Sequence, residues 1–444
     1  MRDCFRSLNV LVHAFIYALL FASCTTNKSR ADLEDTELLH QNQKQLTQVI
    51  IYDVFSPPVA SRIYAYTSIA AYEAIRFAEN GYPSIAAQLH DFPAMPKPEE
   101  GKKYNYDLAA TKAFFTVTHK VVFSIDSLRQ YEEDVFNQFK ESLDEEVYNR
   151  SIAFGEAIGA KVLERSANDN YKKTRGMAKY LGSKEDGKWQ PTSPDYMDGV
   201  EPFWRMIKPF VLDSAGQCKI PPPPVFSKDT NSVFYKNARE VYIIGSNLAD
   251  SQKVIVEYWD DNPFVMEHSG HMMFANKKIT PGGHWMGIAA VASRKAKADV
   301  VKTAQAYALT AIALIDGFIS CWDEKYRHEV VRPITVIHHL IDEKWQPYLQ
   351  TPPFPEYPSG HSTISASAAT VLTHIFGENF AFHDDSDKEY IGMERDFTSF
   401  NEAAAEAAIS RVYGGIHYKT GMEAGADQGK RVGALLIEKV KIKD

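Results

Sequence analysis

The sequence predicts an all-α protein in which two packed helical bundles form one large domain. Three observations support this fold class. Apolar residues recur every three to four positions over most of the chain, which is the period of a helix that buries one face. No long stretch alternates apolar and polar residues as a half-buried strand does. The chain has 444 residues, of which 45% are hydrophobic, so it can bury a sizeable core.

Helices are predicted, in order along the chain, wherever this period holds. They cover residues 61–78, 107–123, 128–143, 145–167, 229–259, 284–327, the segment that follows His361, 400–413 and 422–440. Residues 169–227 interrupt the pattern, because they are rich in Pro, Gly, Trp and Tyr and include four consecutive prolines at 221–224. Since proline lacks the N–H group that a helix interior needs, we expect a long ordered connection there without much regular structure.

The first 23 residues are predicted to be a signal peptide. Two arginines precede an apolar run at residues 8–22, which is short for a membrane span and typical of a secretory signal. The run ends in LLFASC, which resembles the lipobox of bacterial lipoproteins and predicts a lipid on Cys24. We therefore expect a signal peptide at 1–23, a polar lipoprotein tether at 24–44 and the helical domain at 45–444. The lipoprotein would be anchored in the periplasm or cell envelope. The alternative is a plain secretory signal cut at the end of the same run, which predicts a secreted protein, and either way the protein leaves the cytoplasm.

Net charge and cysteine content argue against two classes of function. A net charge of -8 is unfavourable for nucleic acid, so we expect no such partner, and membrane contact only through the lipid at Cys24. If Cys4 and Cys24 belong to the signal and the anchor, only Cys218 and Cys321 remain, which is too few for a metal cage. A disulfide between them is allowed outside the cytoplasm. We expect Cys321 to be a packed free thiol on a helix.

The first chemically informative cluster contains two cations. Lys325 and Arg332 are seven residues apart, which is two helical turns, so we expect both side chains on one helix face. Such a pair can hold two oxygens of an anion, and the planar guanidinium of arginine suits oxyanions. Taken alone, the pair is more often part of a solvated surface.

The second cluster is the start of a predicted helix. Pro358, Ser359 and Gly360 break the chain before a helical run that begins near His361. Free backbone N–H groups at a helix N-terminus attract anions, Ser359 adds a hydroxyl group, and His361 can transfer protons. A simple capped helix start is the alternative interpretation.

The third cluster ends in a histidine. A predicted helix carries Arg411, and Gly414 and Gly415 let the chain turn toward His417. His417 could act as a metal ligand or as a nucleophile toward phosphorus. A single histidine in this position is more often a packed core residue.

Together, the three clusters resemble the signature shared by the vanadium-dependent haloperoxidases and the type 2 phosphatidic acid phosphatases. The resemblance covers residues 322–424. It implies a vanadate cofactor whose vanadium is bonded to an imidazole nitrogen of His417. The remaining ligands that the resemblance implies for the vanadate oxygens are Lys325, Arg332, Ser359, Gly360, His361 and Arg411.

Two aromatic residues make the resemblance closer to the haloperoxidases. Trp322 precedes Lys325 by three residues, and Phe354 lies in the segment PPFPEYPSGH; both resemble residues on the halide side of haloperoxidases. The membrane phosphatases of the superfamily contain several spanning helices, whereas no apolar run after residue 23 approaches the ~20 residues that a span needs.

The resemblance therefore implies an enzyme that oxidises a halide with hydrogen peroxide to hypohalous acid. In this scheme His361 accepts a proton from the peroxide, and Lys325 polarises the activated oxygen. Two alternatives remain open. One is a periplasmic acid phosphatase that forms a phosphohistidine at His417, and the other is a lipoprotein that binds an oxyanion without catalysis.

The chain departs from the family pattern at Gly421. Members commonly place Asp four residues after the ligand histidine, where it orients the ring, whereas Gly421 stands there in this chain. Glu423, Asp260, Asp261 or a backbone carbonyl are the candidate replacements. Because chloride oxidation demands the most finely tuned site, the missing carboxylate predicts iodide as the preferred halide, with bromide possible. The flanking motifs also resemble those of bacterial iodoperoxidases.

Overall fold

The computed structural model describes residues 36–269, 272–275 and 278–443. Helices dominate it, which confirms the predicted all-α class. The helices are α1 (Thr36–Tyr52), α2 (Pro57–Ile75), α3 (Tyr106–Val121), α4 (Arg129–Ser142), α5 (Glu145–Ala167), α6 (Tyr171–Arg175), α7 (Val233–Ser246), α8 (Asp250–Tyr258), α9 (Pro281–Ala296), α10 (Val300–His328), α11 (Pro333–Leu340), α12 (Gly360–Phe376), α13 (Lys388–Ile391), α14 (Phe400–Tyr413) and α15 (Lys419–Lys439). Two small antiparallel sheets pair β1 (Met266–Ser269) with β2 (Met272–Ala275) and β3 (Phe382–Asp384) with β4 (Arg395–Phe397).

The predicted signal peptide and the lipidation site at Cys24 lie outside the described residues and stay predictions. The predicted tether at 24–44 is wrong in its second half, because α1 begins at Thr36. Leu38, Leu39 and Leu46 give this segment a buried apolar face. Its side chains also form polar contacts inside the protein; for example, the amide of Asn42 donates to the Thr111 hydroxyl group at 3.2 Å.

Two predicted helices are each divided by a short turn. The range 229–259 contains α7 and α8, and the range 284–327 contains α9 and α10. Lys297, in the left-handed conformation with φ of 50°, ends α9. The Asp299 side chain then caps α10 by accepting from the Lys302 N–H at 2.7 Å. Because both halves keep the helical period, apolar spacing alone does not reveal the break.

The predicted long connection at 169–227 contains only α6 and a 3₁₀ turn at Trp204–Met206, as expected. A buried carboxylate on α10 anchors one part of it. The Asp316 side chain accepts from the N–H groups of three consecutive residues, Phe210, Val211 and Leu212, at 2.7–3.1 Å. These bonds hold irregular backbone against the core without leaving its donors unpaired.

The helices pack as two bundles around one continuous apolar core. Helices α2, α3 and α5 form the first bundle, and α10, α12, α14 and α15 form the second. Helix α10 lies between them, in contact with α2 and α12. By length and composition α10 could cross a membrane, but its apolar window is entirely buried inside the molecule. A buried core helix passes the same test of length and composition. The prediction that no apolar run after residue 23 approaches the length of a membrane span is therefore wrong for α10.

The close approach of α12 and α15 positions the candidate site. A Cβ atom on Gly429 would lie 2.0 Å from the Thr363 carbonyl oxygen, and one on Gly425 would lie 2.6 Å from the Ser359 carbonyl oxygen. Only glycine allows the two helices to approach this closely. The first turns of α12 and α15 therefore lie side by side. Cys218 and Cys321 are both buried free thiols, as predicted for Cys321.

Candidate active site

The residues predicted from the three clusters converge on one narrow cavity of about 430 Å³. Helix α10 contributes its C-terminal end, α12 its first turn, α14 its last turn, and the loop before α15 contributes a histidine. Predicted residues that line the cavity are Trp322, Phe354, Gly360, His361, Arg411 and His417. Lys325, Arg332 and Ser359 are fully buried directly behind this lining.

Lys325 is buried, and its ammonium group is surrounded by backbone carbonyls. Its Nζ atom donates to the carbonyl oxygens of Pro355 at 2.8 Å, Glu356 at 3.0 Å and Pro358 at 2.5 Å. Burial lowers the pKa of Lys325 to about 7, and the nearby positive charge of Arg332 also lowers it. An anion in the cavity would raise this pKa again. Because three carbonyls occupy the three N–H donors, Lys325 acts on an anion through its charge or by exchanging one of these bonds.

Each of the two arginines has a buried guanidinium nitrogen without a hydrogen-bond partner. Arg332 donates from Nε to the Phe354 carbonyl and from Nη1 to the Ile416 carbonyl, both at 2.8 Å. Arg411 donates from Nη1 to the Trp259 carbonyl at 2.7 Å. Among the described residues, Nη2 of Arg332 and Nε of Arg411 are buried without a hydrogen-bond partner. Buried guanidinium groups with free donors favour a bound anion, and a planar fork suits an oxyanion.

The predicted reason for the convergence of Lys325 and Arg332 is wrong. Helix α10 ends at His328, so the two residues do not share a helix face. Glu329 adopts a left-handed conformation with φ of 55° and reverses the chain. Arg332 then precedes α11 as its N-cap residue. The turn, rather than helical periodicity, brings the two cations to the same cavity.

The start of α12 supplies backbone N–H groups, as predicted. Ser359 is the N-cap residue, and its Oγ accepts from the Ser362 N–H at 3.3 Å, which leaves the hydroxyl proton available to an anion. A Cβ atom on Gly360 would lie 3.4 Å from the Trp322 ring and 3.9 Å from Cε of Lys325. The positive end of a 17-residue helix therefore faces the same space as Lys325.

His417 directs the lone pair of its Nε2 atom toward Arg332 and this space. Its Nδ1 lies 2.8 Å from Oε1 of Glu356, and its Nε2 lies 3.2 Å from Nη1 of Arg332. Arginine only donates, so Nε2 accepts, and the single ring proton must be on Nδ1, which donates to Glu356. Burial, Arg332 and Lys325 hold the pKa of His417 well below its usual range. His417 is therefore a neutral imidazole whose Nε2 can bond to an electrophilic centre.

Glu356 replaces the carboxylate that the sequence lacks at Gly421. A Cβ atom on Gly421 would lie 2.2 Å from Oε1 of Glu356, so glycine is what leaves room for this side chain. The predicted replacements are wrong. Glu423 is exposed, Asp260 pairs with a lysine, and Asp261 faces other histidines.

Sequence reasoning missed Glu356 although a signal was present. It is the one acidic residue of the segment PPFPEYPSGH, five positions before His361. The Tyr418 N–H also donates to Oε1 of Glu356, at 3.1 Å. Burial raises the pKa of Glu356 to about 7, while Lys325 and Arg332 lower it and favour the carboxylate. The site thus has the carboxylate whose absence was taken to favour iodide.

We expect Glu356→Gln to weaken binding of the oxyanion ligand of His417 by ~10–100-fold, the usual cost of losing an outer carboxylate partner. The amide retains the shape but removes the charge that makes the imidazole a better donor. Equilibrium titration with the oxyanion, followed by elemental analysis, measures the change. Exposed Glu423→Gln is the matched control and should bind like the parent. Equal affinity in Glu356→Gln and in the parent would reject this role.

His361 lies at the cavity wall with 15% of its side chain exposed. Its Nε2 has no hydrogen-bond partner among the described residues, and the nearest carboxylate oxygen, Oδ2 of Asp261, is 3.9 Å away. Burial and the positive charges of Arg411, His284 and Lys325 hold the pKa of His361 well below its usual range. His361 is therefore neutral and able to accept a proton from a molecule in the cavity.

Two aromatic rings form an apolar side of the cavity. The ring centroids of Trp322 and Phe354 lie 5.0 Å apart. The Nζ atom of Lys325 lies 5.6 Å and 5.0 Å from these two centroids, respectively. Trp322 donates from its indole nitrogen to the Val200 carbonyl at 3.1 Å, so the long connection fixes its orientation.

Comparisons with known proteins identify related chains. The VCPO second helical-bundle domain matches residues 305–443. The chain is 44% identical to a bacterial vanadium-dependent iodoperoxidase of known crystal structure; the match covers 92% of this chain and 97% of that one, with a TM-score of 0.87. A holo-type bacterial vanadium-dependent chloroperoxidase is 19% identical over 87% of this chain and 93% of that one, with a TM-score of 0.66, which shows the fold alone. No curated protein matches the chain significantly.

Proposed function

The chain belongs to the vanadium-dependent haloperoxidase family, and from that premise we propose that it oxidises iodide with hydrogen peroxide to hypoiodous acid. Membership makes the chain a peroxidase whose cofactor is vanadate and whose substrates are hydrogen peroxide and a halide. The preference for iodide and the roles of individual residues are our proposal. The observation that carries it is the neutral, carboxylate-backed imidazole of His417, which faces three cations in one buried cavity.

The residues present fit vanadate. A tetrahedral oxyanion carries negative charge that Lys325, Arg332 and Arg411 balance at close range. The unpaired buried donors Nη2 of Arg332 and Nε of Arg411 are the groups that such an anion would satisfy. Nε2 of His417 would hold the metal, and the Ser359 hydroxyl and the Gly360 N–H would hold oxygens.

When bound, vanadate supplies an electrophilic centre that activates hydrogen peroxide toward a halide without a change in metal oxidation state. Lys325, Arg332 and Arg411 increase that electrophilicity because they withdraw charge from the oxygens in a buried, low-dielectric cavity. Glu356 keeps the proton of His417 on Nδ1, so that Nε2 stays available.

His361 moves the proton of the incoming peroxide. Its low pKa keeps the ring neutral in the resting protein, so one ring nitrogen can accept a proton, and Nε2 has no competing hydrogen bond among the described residues. After it accepts the proton, the imidazolium can return it to the oxygen that leaves with the oxidised halogen. Lys325 faces the same cavity side as the aromatic pair and polarises the oxygen that the halide attacks.

Iodide is the halide that this cavity side favours. Trp322 and Phe354 line one side of the cavity with apolar, polarisable rings. Iodide is the largest and most weakly hydrated of the three halides, so it loses least on leaving water and gains most from dispersion contacts. Similarity to an iodoperoxidase at 44% identity supports the same preference. The absence of a carboxylate at Gly421 is no longer an argument for iodide, because Glu356 supplies a carboxylate to His417.

We expect kcat/KM, measured by peroxide consumption after vanadate loading, to fall in the order iodide, bromide, chloride at matched pH. Iodide is also the halide most easily oxidised, so the chemical barrier and the binding preference act in the same direction. Protein without vanadate is the control for direct reaction between peroxide and iodide. A higher kcat/KM for bromide or chloride than for iodide would contradict the proposed specificity while leaving the family assignment intact.

We also propose that the enzyme works outside the cytoplasm, anchored by a lipid on Cys24. The support is the N-terminal sequence alone, since these residues lie outside the described structure. The phosphatase alternative uses the same cavity, but the relatives found are haloperoxidases.

A further inference from the structure

A second buried cluster lies next to the oxyanion cavity and has no part in the reaction described above. His284, near the start of α9, is surrounded by Asp261, Asp384 and Asp387. Its Nδ1 lies 3.3 Å from both oxygens of Asp261 and 3.3 Å from Oδ2 of Asp387. Its Nε2 lies 3.1 Å from Oδ2 of Asp384. The side chains of all four residues are at most 3% exposed.

The protein groups present do not satisfy this cluster. A single proton on Nδ1 of His284 cannot serve both Asp261 and Asp387. Neither oxygen of Asp387 has a hydrogen-bond partner among the described residues, although the side chain is only 1% exposed. A buried carboxylate without donors is costly, and such groups in proteins are paired or coordinate a metal.

The nearby cations are already engaged. Lys278 forms an ion pair with Asp260. Arg411 is held by the Trp259 carbonyl and faces the oxyanion cavity. Asp384 also accepts from the N–H and the hydroxyl group of Ser386. Asp261 and Asp387 therefore share Nδ1 of His284 between them, which leaves negative charge for a ligand to balance.

The donor atoms have the spacing of a metal site. One ligand atom from each of Asp261, His284 and Asp387 lies within 4.8 Å of the other two. On the far side of the ring, Nε2 of His284 can donate to Asp384, which is the outer carboxylate that metal-binding histidines usually have. The Trp259 ring stacks on His284 with centroids 4.5 Å apart and fixes the ring plane.

We propose that Asp261, His284 and Asp387 bind a divalent first-row metal ion, Zn²⁺ or Mn²⁺, in addition to vanadate. Two carboxylates and a neutral imidazole balance the charge of such an ion. Mixed nitrogen and carboxylate ligation suits zinc and manganese better than calcium, which prefers oxygen ligands alone. The ion replaces the ring proton on Nδ1, so binding releases a proton.

A groove beside the cluster is the proposed route for the ion. This groove of about 1040 Å³ between α1 and α9 is lined by Gly283, Gly287, Asp385 and Ser386, which are chain neighbours of the proposed ligands. Because Asp261 also lies 3.9 Å from Nε2 of His361, a bound ion would hold this carboxylate in place at the edge of the oxyanion cavity. The site does not depend on the proposed halide chemistry.

The test measures metal content and thermal stability of the full-length chain, with and without vanadate. After chelator treatment, incubation with Zn²⁺ or Mn²⁺ and desalting, we expect about one retained ion per chain. We also expect a Tm that rises with metal concentration, because an ion that binds only the folded state stabilises it. Asp387→Asn should lose the ion and the rise in Tm while keeping vanadium. Asp396→Asn removes an exposed carboxylate outside the groove and the cavity and should bind like the parent.

Either of two results would overturn the proposal: a parent chain that retains neither ion, or an Asp387→Asn chain that retains it as well as the parent. Should Asp387→Asn fold poorly, anomalous diffraction from parent crystals soaked in Zn²⁺ decides without a variant. A peak bounded by Asp261, His284 and Asp387 is the expected outcome, and its absence would sink the idea. Loss of vanadium with retained zinc would instead count against the proposed function.

Discussion

His417→Ala should abolish retention of vanadium and, with it, peroxide-dependent oxidation of halide. The substitution removes Nε2, the only atom proposed to bond to the metal. Loss of an outer partner such as Glu356 typically costs ~10–100-fold in metal affinity, so loss of the ligand itself must cost more. Lys325, Arg332 and Arg411 remain, and we expect only weak residual binding of the anion through their charge. Elemental analysis after vanadate loading and desalting measures the retained vanadium.

His339→Ala is the matched control for this variant. His339 is exposed on α11 and lies outside the cavity, so the same change of side chain there should leave vanadium content and activity unaltered. Circular dichroism and Tm establish that both variants are folded. A His417→Ala protein that holds vanadium as tightly as the parent and remains active would show that His417 is not the ligand.

His361→Ala should keep vanadium and lose turnover. This histidine is proposed to accept a proton and not to bond to the metal, so the cation set and His417 still hold the oxyanion. General acid–base groups typically contribute ~10²–10⁴-fold to rate, and we expect kcat with iodide to fall within that range. The parent should lose activity as the pH falls, because protonation of His361 removes the base. That loss should be absent or displaced in the variant.

The separation of vanadium content from kcat distinguishes this role from a structural one. A variant that merely disturbed the cavity would lose both together. His339→Ala again controls for the removal of an imidazole. An unimpaired kcat across the pH profile, in a variant loaded to the parent's vanadium content, would rule out His361 as the base.

Much of the fold and of the candidate site could be predicted from the sequence, because both depend on residue types at short spacings along the chain. Helices α5 and α14 have the predicted bounds of 145–167 and 400–413, since the apolar period of a helix is a local property of the chain. Ser359, Gly360, Arg411 and His417 are likewise residue types at fixed short spacings, and an oxyanion site needs those types. The breaks within 229–259 and 284–327 were missed because the period continues across them.

Only the tertiary structure decided how these pieces meet. Lys325 and Arg332 converge through a turn at Glu329, which helical spacing does not encode. The carboxylate that orients His417 comes from Glu356, 61 residues earlier, and fits only because Gly421 has no side chain. The carboxylates around His284 include Asp384, which lies 100 residues later in the chain. Contacts between distant segments depend on how whole helices pack. The spacing of residue types along the chain does not predict that packing.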